Sequence, residues 1–370
     1  MLTWQCVLGI EKITNLKINM KICLLGDTHF GVRNDSKAFH AYYEKFYTNI
    51  LFPYLKDNNI DTVIQLGDLF DRRKYINFNS LAESRRYFFD PMEANGIKLI
   101  TLVGNHDIFW KETLSVNSPD LLLRDYGNIT IFQEPGQIEF DGVQFDIIPW
   151  ICKDNETQIA AFMDASTSDY CIGHFEISGF QMMKGIDNHE GFDRSYFKQY
   201  KHVLSGHFHT KSSEGNISYL GTPYELTWND ESDPKGFFIF DTEDHSLEFV
   251  QNPYTIFTKY YYNDETMDPD GIDTSSFESQ HIKIVVVKKR DFHKFDKFIE
   301  RIYRRDPLEV KIIEDFSEFE SEALDDAIDL EDTMTLLTGY VDSIETDADK
   351  ERLKTLLKTL YVEAQHYEEA

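Results

Sequence analysis

Five apolar runs along this chain each end in glycine and a polar side chain, and this repeated ending limits the possible folds more than any other feature. The runs are KICLLGDTH (21–29), DTVIQLGDLFD (61–71), IKLITLVGNHD (97–107), YCIGHFE (170–176) and HVLSGHFH (202–209). Amphipathic segments near 36–57 and 78–95 separate the first three runs. This order of strand, helix and strand predicts a layered α/β core with partly parallel strands.

Further β-rich runs follow without long helices between them, at 129–133, 137–148, 217–220, 236–241 and 246–250. They predict a second sheet packed on the first. The expected fold of residues 20–250 is therefore α/β (α+β), a four-layer helix–sheet–sheet–helix sandwich. The chain has 370 residues, more than one ordinary domain, and its hydrophobic content of 41% suits a sizeable core.

The pattern changes near residue 251. The elements expected beyond it are strands at 257–263, 281–289 and 310–315 and a helix over 291–304. They predict a small β-β-α-β domain over residues 251–315.

The segments that flank these domains have their own character. Residues 316–332 are rich in carboxylates and predict a solvated linker, and residues 333–370 predict a tail of two amphipathic helices. Met20 directly precedes the first clear strand, so residues 1–19 are expected to be either an upstream extension or an N-terminal arm.

Charge and cysteine usage exclude several classes of protein. The formal net charge of −28 repels a DNA backbone at long range and argues against a free-standing DNA-binding protein. The four cysteines are widely spaced, which indicates neither a disulfide framework nor a zinc knuckle. This cysteine usage suits a reducing cytoplasm. No apolar run could span a bilayer and the N-terminus lacks a basic region followed by an apolar core, so we expect neither membrane contact nor a secretory signal.

Polar side chains follow the predicted strands where the strands end. They are Asp27, His29, Asp68, Asn105, His106, His174, His207 and His209. Ligands of open α/β sheets bind beyond the carboxyl ends of strands, so these groups are expected to meet. Carboxylate, amide and imidazole donors without thiolate suit manganese, iron or zinc better than calcium. His207 and His209, two residues apart in an extended segment, are expected to point to one side and serve one cluster.

The order D-x-H, G-D, G-N-H-D, G-H and G-H-x-H resembles the calcineurin-like metallophosphoesterase superfamily. Within it the chain is similar to the SbcD-type DNA-repair nucleases, and to their phage members in particular. The supporting stretches are GDTHFGVRND, IQLGDLFDRRK, GNHD, IIPW, GHFEISGF, SGHFHT and YLGTPYELTWNDESDPKGFFIFDTE. The resemblance covers residues 20 to 250 strongly and the tail more loosely.

The resemblance implies two divalent ions, with manganese expected and magnesium as the alternative. One would be held by Asp27, His29, Asp68 and His209, and the other by Asp68, Asn105, His174 and His207. Asp68 would bridge the ions, which would clamp a phosphate and activate water. His106 would face the scissile phosphate as a catalytic residue.

Asp71 departs from the pattern of many cellular members, which place histidine there. Because related phosphatases hold their catalytic histidine with an aspartate at this place, Asp71 is expected to orient His106 through its carboxylate. The alternative is an ordinary ion pair between Asp71 and Arg72 or Arg73.

The resemblance also implies partners. Double-stranded DNA ends would be bound by a basic patch on the small domain, formed by Lys288, Lys289, Arg290, Lys294 and Lys297, although these residues could equally form a solvated helix face. The tail would dock on an SbcC-class coiled-coil ATPase, in a homodimer within a heterotetramer, in the host cytoplasm if the chain is phage-encoded. The apolar positions of the tail are Leu337, Val341, Leu353, Leu357 and Leu360. The alternative is that the two helices form an internal helical hairpin on the enzyme itself.

The function expected from these features is a metal-dependent DNA exonuclease or endonuclease acting in recombination and end processing. A phosphoesterase for phosphoproteins or small phosphodiesters and a non-catalytic scaffold are the alternatives. The remaining aromatic residues near the motifs are interpreted as packing groups: Phe30, Phe175, Phe208, Trp4, Trp110, Trp150 and Trp228.

Overall fold

The computed structural model of the chain describes residues 20–183, 186–189 and 191–314, together with Val341, Lys350, 352–354 and 356–357. The strands within them are β1 (Lys21–Leu25), β2 (Thr62–Gln65), β3 (Lys98–Leu102), β4 (Ile129–Phe132), β5 (Gly136–Phe140), β6 (Val143–Ile148), β7 (Tyr170–His174), β8 (Gln181–Met183), β9 (Ile186–Asp187), β10 (His202–Gly206), β11 (Ser212–Glu214), β12 (Ile217–Tyr219), β13 (Gly236–Asp241), β14 (Leu247–Gln251), β15 (Phe257–Asn263), β16 (His281–Lys288) and β17 (Glu309–Ile313).

Two of the helices contain a π-helical turn in mid-course. The helices are α1 (37–57, with the π turn at Tyr47–Leu51), α2 (78–94, with the π turn at Arg85–Phe89), α3 (Ser118–Leu123), α4 (Glu156–Ala165) and α5 (Phe292–Tyr303). Single 3₁₀ turns lie at Arg194–Phe197, Trp228–Asp230, Pro269–Gly271 and Ser275–Phe277. The sequence predicted α1, α2 and α5 to within a few residues.

Two six-stranded sheets form the centre of the molecule. The first has the strand order β14-β13-β1-β2-β3-β4 and the second the order β11-β12-β10-β7-β6-β5. In the first sheet β1 to β4 are parallel, and in the second β12, β10, β7 and β6 are parallel. The carboxyl ends of these parallel strands are the ends that carry the polar motifs, as the sequence predicted.

Alternating side chains divide the apolar core into layers. Ile22 and Leu24 of β1 point toward the second sheet, whereas Cys23 and Leu25 point toward the helices on the outer face. On the far side of the second sheet, Ile159 and Met163 of α4 cover the strands. Helix, sheet, sheet and helix are therefore stacked in four layers, and the predicted fold class is confirmed.

The small β-β-α-β unit is also present. Strands β15, β16 and β17 form a parallel three-stranded sheet in that order. Helix α5 begins at the N-cap Asp291, whose carboxylate accepts hydrogen bonds from the N–H groups of His293 and Lys294. Its residues Phe295 and Phe298 pack on the sheet in a separate apolar core.

Three details differ from the sequence prediction. The prediction that the later runs make up the second sheet is wrong, because β4, β13 and β14 extend the first sheet, where β13 pairs with β1, and β7 and β10 lie in the second. The run at 137–148 is a hairpin of β5 and β6, because Asp141 and Gly142 both have positive φ and form a tight turn. Helix α4 lies between β6 and β7, where no helix was predicted.

Several predictions concern segments near the termini. Val341 is buried, and Leu353 and Leu357 are half-buried. Leu337, Leu360, Trp4 and residues 1–19 and 316–332 lie outside the described residues. None of the helices described is long and apolar enough to cross a membrane.

Candidate metal centre

The polar side chains that end the parallel strands meet at one edge of the two sheets. The strands deliver Asp27 and His29 from β1, Asp68 from β2, Asn105 and His106 from β3, His174 from β7, and His207 and His209 from β10. Most of these side chains are almost fully buried; Asn105 and His106 are 7% and 6% exposed. They form two adjoining groups that could each hold a metal ion.

The first group consists of Asp27, His29 and His209. The Nε2 atoms of His29 and His209 lie 3.1 Å apart, with the two rings edge to face. Asp27 Oδ2 accepts a hydrogen bond from the N–H of His207 at 2.9 Å, which fixes the carboxylate. Its Oδ1 is buried without a hydrogen-bond partner among the described residues.

The second group consists of Asp68, His174 and His207, with Asn105 between the rings. Asn105 Oδ1 lies 2.9 Å from His174 Nε2 and 3.0 Å from His207 Nδ1. His174 Nδ1 donates to the carbonyl of Leu66 at 2.7 Å, so Nε2 is the atom that faces the group.

Asp68 lies between the two groups. Its Oδ2 is 3.1 Å from His174 Nε2 and 3.8 Å from His29 Nε2. Its Oδ1 accepts a hydrogen bond from the N–H of His106 at 2.8 Å. One carboxylate oxygen is thus near donors of both groups, the position that a bridging ligand requires.

Three of these residues have an unusual backbone conformation. His29, Asp68 and His207 have φ angles of 41°, 52° and 88°. Positive φ is rare for residues other than glycine and strains the backbone by about 1–3 kcal/mol per residue. The prediction that His207 and His209 share an extended segment is wrong, since the chain turns at His207 and sends the two rings to different groups.

The charges of the site depend on one another. Burial lowers the pKa of His174, but Asp68 and Asp27 outweigh it and raise that pKa to about 9. Burial raises the pKa of Asp27 to about 7, although His174 opposes the change. The pKa of His207 is well below its usual value because of burial and His174, which leaves this ring neutral. The buried carboxylates of Asp27 and Asp68 therefore favour a positive charge beside them.

The residues fit a divalent ion on two grounds. The orphaned Asp27 Oδ1 lacks the partner that a buried carboxylate oxygen needs. The donor atoms of the second group lie 2.9–3.1 Å apart, close to the edge of about 3 Å in an octahedral shell with bonds of about 2.1 Å. Carboxylate and amide oxygens suit both manganese and magnesium, so the donor set does not select between these two ions.

His106 lies beside both groups, with its ring 4.9 Å from that of His29. Its Nδ1 is 2.7 Å from the main-chain carbonyl of Asp71. Because a carbonyl oxygen only accepts hydrogen bonds, Nδ1 carries the proton. Nε2 is then the ring nitrogen left to interact with a substrate.

Asp71 does not act as the sequence led us to expect. It contacts His106 through its main-chain carbonyl, whereas its carboxylate Oδ1 lies 3.5 Å from Nδ1 of His29. Burial lowers the pKa of His29, but Asp71 outweighs it and raises that pKa. Of the two arginines in the alternative ion pair, Arg72 contacts Asn34 and Tyr75 through its guanidinium, and Arg73 donates to the carbonyl of Ile108.

Glycines let the strands approach one another beside the donors. A Cβ on Gly206 would lie 2.4 Å from Asp27 Oδ1 and 2.5 Å from the Leu66 carbonyl. A Cβ on Gly104 would lie 2.2 Å from Asp68 Oδ1. Side chains at these positions would displace the ligands, which explains the repeated glycine in the motifs.

Lys235 is a buried residue that the sequence analysis missed. It is 4% exposed, and its Nζ donates to the main-chain carbonyl of His209 at 2.8 Å. It also pairs with Asp230 Oδ1 at 2.6 Å and Asp233 Oδ2 at 2.8 Å. Burial lowers its pKa, but the two aspartates outweigh it and raise that pKa, so the ammonium stays charged and fixes the His209 loop.

Asp107 connects the loops after β2 and β3. Its Oδ1 accepts from the N–H of Leu69 at 3.0 Å, and its Oδ2 accepts from the N–H of Gly104 at 2.9 Å. Burial and the nearby Asp68 raise its pKa to about 6. Asp107 therefore holds the backbone beneath Asp68 and Asn105.

The aromatic residues near the motifs divide into two kinds. Phe30, Phe175, Phe208 and Trp228 are buried, as expected for packing groups. Trp150 is half-buried, with its ring 5.2 Å from that of His207. The packing interpretation of Trp110 is wrong, because its side chain is 51% exposed.

The basic residues of the small domain are not equally available. Lys289 pairs with Glu314 at 2.5 Å, and Arg290 pairs with Glu265. Lys288, Lys294 and Lys297 are exposed. These last three remain the better candidates for phosphate contacts.

Comparison with known proteins places this site in a family. The model of the calcineurin-like phosphoesterase family matches residues 20–287. The chain is 35% identical over 348 residues to exonuclease subunit 1 of Enterobacteria phage T4, covering 93% of this chain and 99% of that protein. Among solved structures, GAP50, the anchor in the inner membrane complex of Plasmodium, shares 12% identity over 64% of this chain and 90% of its own, with a TM-score of 0.36.

The chain belongs to the calcineurin-like phosphoesterase family. The resemblance stated from the motifs is confirmed, and so is the expected class of enzyme, a hydrolase of phosphoester bonds. Members of this family use divalent metal ions, and the two groups at the sheet edge are where the described residues could bind them.

Proposed function

We propose that this protein is the nuclease subunit of a DNA-processing complex and hydrolyses phosphodiester bonds with two divalent ions at the sheet edge. The observation that carries the proposal is the position of Asp68 between two groups of donors, with His106 beside both. The extensive similarity to a phage exonuclease subunit supports DNA as the substrate.

Each residue has a role in this proposal. Asp27, His29 and His209 would hold one ion, Asn105, His174 and His207 the other, and Asp68 would bridge them. When bound, the ions would neutralise phosphate charge and acidify the attacking water. Manganese is the proposed metal, with magnesium as the alternative.

His106 would act on the phosphate from its Nε2. The carbonyl of Asp71 holds the proton on Nδ1, so Nε2 is directed away from Asp71 and toward the substrate. There it would stabilise developing charge or protonate the leaving oxygen. The Asp71 carboxylate would instead orient His29, as a carboxylate commonly orients a histidine ligand.

The remaining assignments extend the proposal to partners. Residues 20–250 would be the nuclease domain, 251–315 a capping domain that contacts DNA ends, 316–332 a linker and 333–370 a tail. The tail would bind an SbcC-class ATPase, and two nuclease subunits would assemble with it into a heterotetramer. This complex would act in recombination and DNA end processing in the cytoplasm. The phage relative is a subunit of an exonuclease, which supports a complex with at least one partner chain.

The test is cleavage of linear double-stranded DNA by the purified chain with manganese, with magnesium and with chelator. His106→Asn is the informative variant, because an Asn amide still donates to the Asp71 carbonyl. We expect manganese-dependent cleavage that falls by about 10²–10⁴-fold in the variant. His202→Ala is the matched control, since His202 lies at the opposite end of β10 and contacts Ser218.

Other outcomes would redirect the proposal. Hydrolysis of bis(4-nitrophenyl) phosphate without DNA cleavage would indicate a different substrate or a need for the ATPase. Metal binding with inactivity on both substrates would indicate a scaffold.

A further inference from the structure

The loop after His106 carries two large aromatic side chains that point into solvent. Phe109 is 39% exposed and Trp110 is 51% exposed, and their rings meet edge to face with centroids 4.9 Å apart. Single exposed apolar residues are ordinary, but an adjacent aromatic pair beside an active site suggests a surface that binds something.

The loop itself is firmly held at its base. The two sides of the loop pair through an isolated antiparallel bridge between Ile108 and Asn117. The N–H of Phe109 also donates to the carbonyl of Val116 at 3.0 Å. The N–H of Ser118 donates to the carbonyl of Asp107 at 2.8 Å. The base of the loop is therefore continuous with the backbone that positions Asp68.

The tip of the loop is held as well. The carbonyl of Glu112 accepts from the N–H of Asp154 and the thiol of Cys152, both at 3.1 Å. Leu114 is only 7% exposed and packs in an apolar cluster with Cys152. The loop thus buries a leucine and leaves the larger aromatic pair outside, so the pair forms a pre-organised surface.

The position of the pair near His106 favours a nucleic acid on this surface. Phe109 and Trp110 are three and four residues from His106, so their Cα atoms lie within about 11 and 14 Å of it. Arg73 donates to the carbonyl of Ile108 at 3.1 Å, which places a guanidinium at the same loop. The upper limits of about 11 and 14 Å on these Cα separations correspond to at most roughly three or four nucleotides along one strand, at about 3.4 Å each.

We propose that Phe109 and Trp110 form a stacking platform for an unpaired base of the DNA strand whose phosphate lies at His106. This inference rests on the proposed function. Every base has a π face, so such a platform holds single-stranded or frayed ends without regard to sequence. It also supplies affinity that does not depend on positive charge, which matters for a chain with a net charge of −28.

The test combines a protein variant with a change in the DNA. Binding of duplexes with a short single-stranded overhang is measured by fluorescence anisotropy in chelator, so that cleavage does not interfere. Each overhang is made with normal bases and with abasic sites. We expect Trp110→Ala to weaken binding of the normal overhang by about 5- to 100-fold and to leave binding of the abasic overhang almost unchanged.

Two further variants complete the experiment. Trp110→Phe keeps an aromatic face and should recover most of the base-dependent binding. Tyr196→Ala is the matched control, because Tyr196 is 52% exposed on the turn before β10, at the opposite end of that strand from His207. It should bind both overhangs as the parent chain does.

The outcomes separate this inference from the function on which it depends. An equal loss on normal and abasic overhangs in Trp110→Ala, or no loss on either, would overturn the platform, and the exposed pair would then suit a protein partner. A parent chain that neither binds nor cleaves any of these DNAs would contradict the proposed function itself.

Discussion

The sheet edge and the small domain of residues 257–313 use opposite kinds of interaction. At the sheet edge, buried charged groups such as Asp27, Asp68 and His174 hold one another, and the backbone is strained at Asp68. In the small domain an apolar core around Phe295 and Phe298 leaves the charged groups outside, many of them in ion pairs. The sheet edge therefore depends on the positions of single buried atoms, whereas the small domain presents its charged groups to solvent.

A buried carboxylate joins the two regions. Glu225 Oε2 accepts hydrogen bonds from the N–H groups of Ile256 and Phe257 at 2.7 and 3.0 Å, where the chain enters β15. Glu225 is 2% exposed. The protonation state of Glu225 therefore affects the hydrogen bonds that hold the start of the small domain.

The largest expected effect is at the sheet edge. Asp68→Asn should reduce phosphodiester hydrolysis by more than about 10³-fold and remove the rise in melting temperature that manganese gives the parent chain. Binding to the folded state alone stabilises by about 2.7 kcal/mol at an ion concentration 100 times the Kd. The measurement is calorimetry with and without the ion.

Asp61→Asn is the control for this variant, because Asp61 is exposed and precedes β2, the strand that Asp68 follows. It should keep both the activity and the stabilisation. A full manganese-dependent shift in Asp68→Asn would show that Asp68 is not a shared ligand.

An intermediate effect is expected at Glu225, where burial raises the pKa to about 7 and the N–H groups of Ile256 and Phe257 oppose the change. A raised folded-state pKa stabilises the protein below the unfolded value near 4.5, and this contribution is lost as the pH rises through 7. The parent chain should lose up to about 3 kcal/mol of unfolding free energy from this group over that range.

Urea unfolding at pH 5, 6, 7 and 8 measures this loss. Glu225→Gln cannot ionise and should flatten the decline, whereas Glu278→Gln, an exposed site on the small domain, should follow the parent chain. An unchanged decline in Glu225→Gln would assign the pH dependence to other groups.

The smallest effect is expected from the exposed lysines of α5. Lys294→Gln combined with Lys297→Gln should weaken DNA binding by a few-fold and reduce the slope of log K against log salt by about 2, if each lysine neutralises one phosphate. Binding titrations between 50 and 200 mM salt give the slope.

Lys56→Gln combined with Lys98→Gln provides a control of equal charge change, since both lysines are exposed and lie away from the small domain. Equal slopes in the two double variants would mean that α5 does not contact phosphates. The exposed charges of the small domain would then have no role in DNA binding.

The sequence predicted which strands carry donors, because each donor directly follows an apolar run and strand ends meet at a sheet edge. It did not predict the directions of the rings, since a positive φ at His207 and the main-chain carbonyl of Asp71 leave no pattern in the residue types. Lys235 was missed because lysine in a polar loop is ordinarily solvated. The hairpin at Asp141–Gly142 could have been found from its Asp-Gly pair.

The pairing of β1 with β13 has a consequence for synthesis of the chain. Met20 and Thr242, at the ends of these strands, are hydrogen-bonded across 222 residues, and Asp27 and His207 across 180. A ribosome adds about 5–20 residues per second, so the first strand waits roughly 10 to 50 s for its neighbour. Because the proposed ligands of the first group, Asp27, His29 and His209, come from both sides of this interval, the nascent chain lacks the complete group until more than half of its 370 residues have been made.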